Sequence, residues 1–313
     1  MGKYIIKRII WLFFMLFIIL TAMYIIMAMV QVHNFGPRPR MPFVDNLDLA
    51  FQSYKIYLTN IVTDWHWGYE GDTPVWEIFM ERMPLTLRIN VVVLVAFIVI
   101  GSLLGVISAL KRHSLTDAII SSITMFFNSI PPIFLIFPLI VIFGYQLEIL
   151  PRFFPVSEPR ISQRILGYVI PVIALGGPAI SSISRLVRGE LVESINAEYM
   201  MLARVKGLSR RQAIIRHGFR NAMVPIIPEI PTLFMGVLMS SFFIESVYNI
   251  NGLANWYLKS MYRQYFGSGY FFIIIPNAMI ISLFYAGLVI SLNVVTDVSL
   301  GLIDPRIHMG KKS

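Results

Sequence analysis

Residues 198–225 read EYMMLARVKGLSRRQAIIRHGFRNAMVP, a basic stretch set between two long apolar runs. It carries too many charges to enter lipid, and its local signals are too regular for a slack linker. Asn196 stands where an N-cap would open a first helix, whose Tyr199, Leu202 and Ala203 fall at helical spacing. Gly207 sits where that helix would stop, because glycine reaches the left-handed C′ conformation without a Cβ penalty. Ser209, with Gln212 three residues on, reads as a capping box that restarts the chain as helix through Ile215 and Phe219, until Pro225 closes it. Taken alone, the stretch is equally an ordinary turn or a purpose-built pair of short helices. The sequence on either side decides between them.

That sequence is membrane-like. Of 313 residues, 57% are hydrophobic and 14% charged, against about 25% charged in soluble domains, and the mean hydropathy is +0.71. A span needs about 20 mostly apolar residues, and six stretches meet that length: 9–30, 85–110, 119–145, 165–187, 225–247 and 271–295. The expected fold is all-α and polytopic, with six transmembrane helices. In chain order it divides into an N-terminal helix over 1–31, an extracytoplasmic segment over 32–84, a core over 85–300 with the basic loop near 189–224, and a tail over 301–313. The first run is too long for a signal h-region and lacks a small-residue cleavage site, so it reads as an uncleaved helix. Cysteine is absent, which removes disulfides, thiolate metal sites and cysteine nucleophiles.

Charge sets the expected orientation. Lys3, Lys7, Arg8, Lys111, Arg112, the cluster from Arg204 to Arg220, Arg306, Lys311 and Lys312 all fall on one side of six spans, and by the positive-inside rule that side is the cytoplasm. Both termini are then cytoplasmic. The opposite loops collect Asp45, Asp48, Asp64, Glu70, Asp72, Glu77 and Glu81. A net charge of +9 is therefore explained by flanking basic residues, without a nucleic-acid partner.

Several spans are more than lipid anchors. Pro131, Pro132 and Pro138 interrupt the third, while Pro171, Gly176, Gly177 and Pro178 interrupt the fourth, freeing backbone groups that neighbours or water must satisfy. Gly101, Gly105 and Ala109 place small residues on one face of the second, as close helix packing requires. Serine pairs at 121–122, 181–182 and 240–241 either line a polar path or bond back within their own helices. Glu229 and Glu245 lie near opposite ends of the fifth span. Ser240, Ser241 and Glu245 are the expected residues of a translocation path or outer gate.

The basic stretch, through Tyr199, Ala203, Arg204, Lys206, Gly207, Leu208, Ser209, Arg216, His217, Arg220, Asn221, Ala222 and Pro225, resembles the EAA loop of ABC importer permeases of the oligopeptide, dipeptide and nickel branch. Further matches follow in the family's order: Trp67 and Gly68 with Pro74, Val75, Pro84, Thr86 and Leu87; Ile244 and Glu245 before Gly252 and Leu253; and Asp304, Pro305 and Arg306. They cover nearly the whole chain, most closely in the manner of the B-type subunit of oligopeptide permeases. Departures are Met201 at the general motif's glutamate, Asn251 and Ala254 around Gly252 and Leu253, and Gln264 between Arg263 and Tyr265.

The resemblance implies a type I importer permease of a bacterial cell membrane, with Tyr199, Ala203, Arg204, Lys206, Gly207, Leu208 and Ser209 coupling it to two ATPase subunits. It further implies a homologous second permease, an extracytoplasmic binding protein that delivers cargo, and ATP with magnesium bound by the ATPases. Oligopeptides are the expected cargo, with nickel or a metallophore as the alternative. From the residues themselves, no GxxxxGK[ST] loop, HExxH or GxSxG occurs, so no catalytic residue, metal ligand or cofactor is expected in this chain. An ion-coupled secondary transporter is the reading from another class, resting on Glu245 and Asp297. The aromatic residues between 51 and 76 read as an interfacial belt or the core of a small outer cap.

Overall fold

A computed structural model describes residues 2–34, 43–156, 158–261, 263–264 and 271–303. Helix α1 (Gly2–Asn34) is followed by α2 (Phe43–Asp64), a short hairpin of β1 (Tyr69–Glu70) and β2 (Thr73–Pro74), and the long α3 (Val75–Leu110). Next come α4 (Leu115–Ser129), α5 (Pro132–Leu139) with a π-helical extension over Ile140–Gln146, α6 (Ile161–Gly167) and α7 (Val169–Asn196). The basic stretch forms α8 (Glu198–Val205), α9 (Arg210–Ala213), a π turn over Ile214–Gly218 and α10 (Phe219–Met223). The chain continues with α11 (Glu229–Val247), α12 (Leu253–Met261), the pair β3 (Arg263–Gln264) and β4 (Phe271–Phe272), and α13 (Ile275–Ile303).

Among the described residues, five helical stretches are long and apolar enough to cross a membrane: Ile10–Gln31, Val75–Leu110, Ile161–Asn196, Glu229–Val247 and Ile275–Ser299. The third expected span is not one straight helix. Its halves, Leu115–Ser129 and Pro132–Gln146, meet at 107°, because Pro131 and Pro132 remove two N–H donors in succession and Ile130 takes an extended conformation (φ −109°, ψ 121°) ahead of them. Counting that bent pair as one span gives six.

Contacts group the chain into two compact units, one built around Met1–Leu87 and Asn251–Ser291, the other around Arg88–Ile250. In the first unit α2 packs on α1 through Tyr57, stacked on Tyr24 with ring centres 5.1 Å apart, and through Tyr54, whose hydroxyl lies 2.6 Å from that of Thr21. In the second, α7 is the hub against which α4, α5, α10 and α11 pack. The small residues of α3 permit a near-backbone approach there: a Cβ on Gly105 would stand 2.6 Å from the Ser184 carbonyl, and one on Gly101 2.9 Å from that of Ile180. The expected close helix contact is thus present.

Candidate functional site: the basic helical segment

Helix α7 runs without a break to Asn196. The Asn196 amide donates to the Val192 carbonyl at 2.8 Å inside α7, so it does not cap the next helix as expected. Ala197, extended at φ −72° and ψ 151°, is the single linking residue and stands at the N-cap of α8 without a side-chain bond. α8 ends where Gly207 takes φ +89°. The Leu208 N–H donates to the Ala203 carbonyl at 3.3 Å and the Gly207 N–H to that of Arg204 at 3.0 Å, the two bonds of a Schellman C-cap. The capping box is present as read: Gln212 N–H donates to the Ser209 hydroxyl at 3.3 Å, and Ser209 N–H to Gln212 Oε1 at 3.1 Å.

This segment has a core of its own. Met200, Ala203, Ala213, Ile214 and Ala222 are buried together with Ala109 of α3 and Leu191 of α7, and Leu208 closes one edge. Ser194 of α7 fixes the arrangement from within: its hydroxyl bonds that of Tyr199 and reaches the Gly218 carbonyl at 3.0 Å. The apolar residues of α8 then split. Met200 and Ala203 face inward, while Met201, Leu202 and Val205 are 72%, 62% and 77% exposed. Leu202, read only as part of the helical spacing, therefore points out. Arg204 and Lys206 are exposed beside them, and Arg204 lines a cavity of about 660 Å³ together with Asn196, Met201, Val205 and Ser209.

The helix that carries this segment is tied sideways by an ion pair to a buried carboxylate. Asp117, 5% exposed at the start of α4, accepts from Arg188 Nε and Nη2 at 2.8 Å each, from the Ser108 hydroxyl of α3, and from the His113 N–H at 3.0 Å. Three helices are thereby joined by one carboxylate. Sequence reading missed Asp117 and Arg188, although Ser114 followed by Asp117 has the spacing of a helix start, and the Asp117 N–H does meet the Ser114 hydroxyl at 3.4 Å.

The remaining expected residues fall elsewhere. Ser241 is buried and bonds back to the Leu238 carbonyl at 2.7 Å, Glu245 is 1% exposed, and Ser240 is half-buried. The first unit, in contrast, gathers residues far apart in sequence. The Thr86 hydroxyl accepts the Leu253 N–H at 2.8 Å. Gly68 at φ +104° lies so near Pro276 that a Cβ would come within 2.8 Å of it. Glu70 accepts from the Trp256 indole at 2.8 Å and from the Asn277 amide at 2.7 Å. Asn251, a departure from the family pattern, accepts from Arg82 at 2.8 Å. Asp304, Pro305 and Arg306 lie outside the described residues, as does Tyr265.

Residues 101–309 match the family described as the binding-protein-dependent transport system inner membrane component. The chain is 28% identical to the dipeptide transport system permease protein of Lactococcus lactis subsp. cremoris over 99% of its own length and all of that protein. It is 30% identical to the Bacillus subtilis dipeptide transport system permease protein, covering 84% of this chain and 81% of that one. With the Haemophilus influenzae oligopeptide transport system permease protein it shares 25% identity over 98% and 100% of the two chains. The chain belongs to this family of inner membrane transport components.

Proposed function

We propose that this member of the binding-protein-dependent permease family is the peptide-conducting subunit of an ATP-driven importer. The observation that carries the reading is the segment from α8 to α10, packed on its own core yet presenting Met201, Leu202 and Val205 to solvent beside basic residues. An apolar surface of that kind on a charged segment is covered by a partner. In a chain without a phosphate loop, ATPase subunits are the partners whose work the transport needs. Two such subunits dock on Tyr199, Ala203, Arg204, Lys206, Gly207, Leu208 and Ser209, bind ATP and magnesium, and move α8 between two positions. Cargo enters from a binding protein on the opposite side and passes between this chain and a second permease.

Orientation follows from charge, with α8–α10 and both termini in the cytoplasm. Peptide cargo is supported by the relatives, named for dipeptide and oligopeptide transport. Nickel or metallophore cargo is not favoured by them. Reconstitution tests the reading: proteoliposomes holding both permeases and the ATPases should take up labelled peptide only with binding protein outside and ATP inside. Uptake driven by an ion gradient without ATP would instead support a secondary transporter.

A further inference from the structure

Helix α7 is enclosed on most sides, yet one line of it stays open. Pro178, Ser182, Arg185 and Gly189 follow at intervals of four, three and four residues, which is one helical face; the first two are half-buried and the last two exposed. A Cβ on Gly189 would meet nothing within 4 Å. Beside the line, α4 breaks at Ser129, and Ser182 donates to Asn128 at 3.4 Å.

The chemistry of this face differs from the open faces of α3 and of the apolar side of α4. α3 exposes Val91, Val95, Val99 and Leu103, and α4 exposes Ile119, Ile123 and Phe126, which suits hydrocarbon. The open line of α7 is small and polar, with a guanidinium in it. Its depth is set by packing: Ser184 and Val187 lie against Gly105, five residues before the end of α3 at Leu110, or about 8 Å inside that end at 1.5 Å per residue. Arg188, one turn further, is neutralised by Asp117. Arg185 has no hydrogen bond or ion pair among the described residues. Charged groups at span depth face a bundle interior or a water-filled path rather than lipid, and an open guanidinium there is suited to a ligand of opposite charge.

We propose that this line faces the cargo and that Arg185 binds a peptide's terminal carboxylate, with Asn128 and Ser182 hydrogen-bonding its amide groups. The assignment rests on the peptide reading above and extends it to a specificity-determining residue. A carboxylate matches a guanidinium's paired donors as an amidated C-terminus cannot.

The test uses the whole complex in proteoliposomes, with binding protein saturated by either a tripeptide or the same tripeptide amidated at its C-terminus. Wild type should transport the free acid faster by about tenfold, the size of one charge-assisted hydrogen bond. Arg185→Gln should bring that ratio near one by slowing the acid alone, and Arg185→Lys should restore part of it. Equal rates for the two peptides in wild type, or an unchanged ratio in Arg185→Gln, would overturn the assignment while leaving the importer intact. Equal slowing of both peptides would also overturn it, pointing to a lipid phosphate or an acidic residue of the second permease as the partner. Wild-type complexes that take up neither peptide would overturn the peptide reading itself.

Discussion

Two short amphipathic helices of nearly equal length end in opposite states. α12 (Leu253–Met261) has Leu253, Ala254, Asn255, Trp256 and Ser260 buried, and its side chains and N-terminus are bonded to Thr86, Glu70 and Asn277 either directly or through Ser260. α8 buries only Met200 and Ala203 and leaves three large apolar side chains open. One helix is completed by its own chain. The other, on the function proposed above, is half of an interface, so substitutions on α12 should read out as stability of the isolated protein, and those on the open face of α8 as loss of partners.

The largest effect is expected at α12. Trp256→Ala removes a nearly buried ring and leaves Glu70 short of a donor, a change of the type that costs about 3–5 kcal/mol. The thermal unfolding midpoint of the purified chain in detergent should fall clearly. An unchanged midpoint would mean that α12 too awaits a partner. Next comes Gly207→Val. No atom stands within 4 Å of an added Cβ, so the penalty is the left-handed backbone itself, about 1–2 kcal/mol and more for a β-branched residue. Membrane insertion should survive while ATPase docking weakens and ATP-driven uptake is lost; wild-type uptake at equal complex content would reduce Gly207 to an ordinary turn.

Ser209→Ala removes one bond of the capping box and should cost about 1 kcal/mol, seen as faster amide exchange over Ser209–Ala213 with uptake largely retained. Smallest of all for the isolated chain, Leu202→Ser with Val205→Ser should shift stability by no more than about 0.5 kcal/mol, yet sharply reduce co-purification with ATPase subunits. A large drop in the midpoint of the chain alone would place these side chains in its own core and dissolve the contrast with α12.

What was legible in sequence follows the range of the signals. The capping box, the glycine stop and the small residues of α3 depend on spacings of three or four residues, and each is present in the structure. The bend at Pro131 was legible as an interruption, but not as an angle of 107°, because proline removes bonds without stating where the freed chain will turn. Asn196 misled, since an asparagine before a helix and one ending the previous helix look alike when only Ala197 separates them. The Asp117–Arg188 pair lies 71 residues apart, and Thr86 meets Leu253 across 167; no periodicity reports such partners. Serine pairs gave a polar pattern without a face, and packing alone turned Ser241 inward.

The short link at Ala197 has a mechanical consequence. With 28 residues, α7 is about 42 Å long, and it enters α8 through one extended residue rather than a loop. Its near end is braced to α3 and α4 by the Asp117 carboxylate. The assembly is a stiff lever pivoted at the Arg188–Asp117 pair: a tilt of about 5° that moves the α8 end by about 1 Å would sweep the far end, about 28 Å from the pivot, through about 2.5 Å. On the function proposed above, a small stroke delivered at α8 is thus more than doubled at the opposite end of α7.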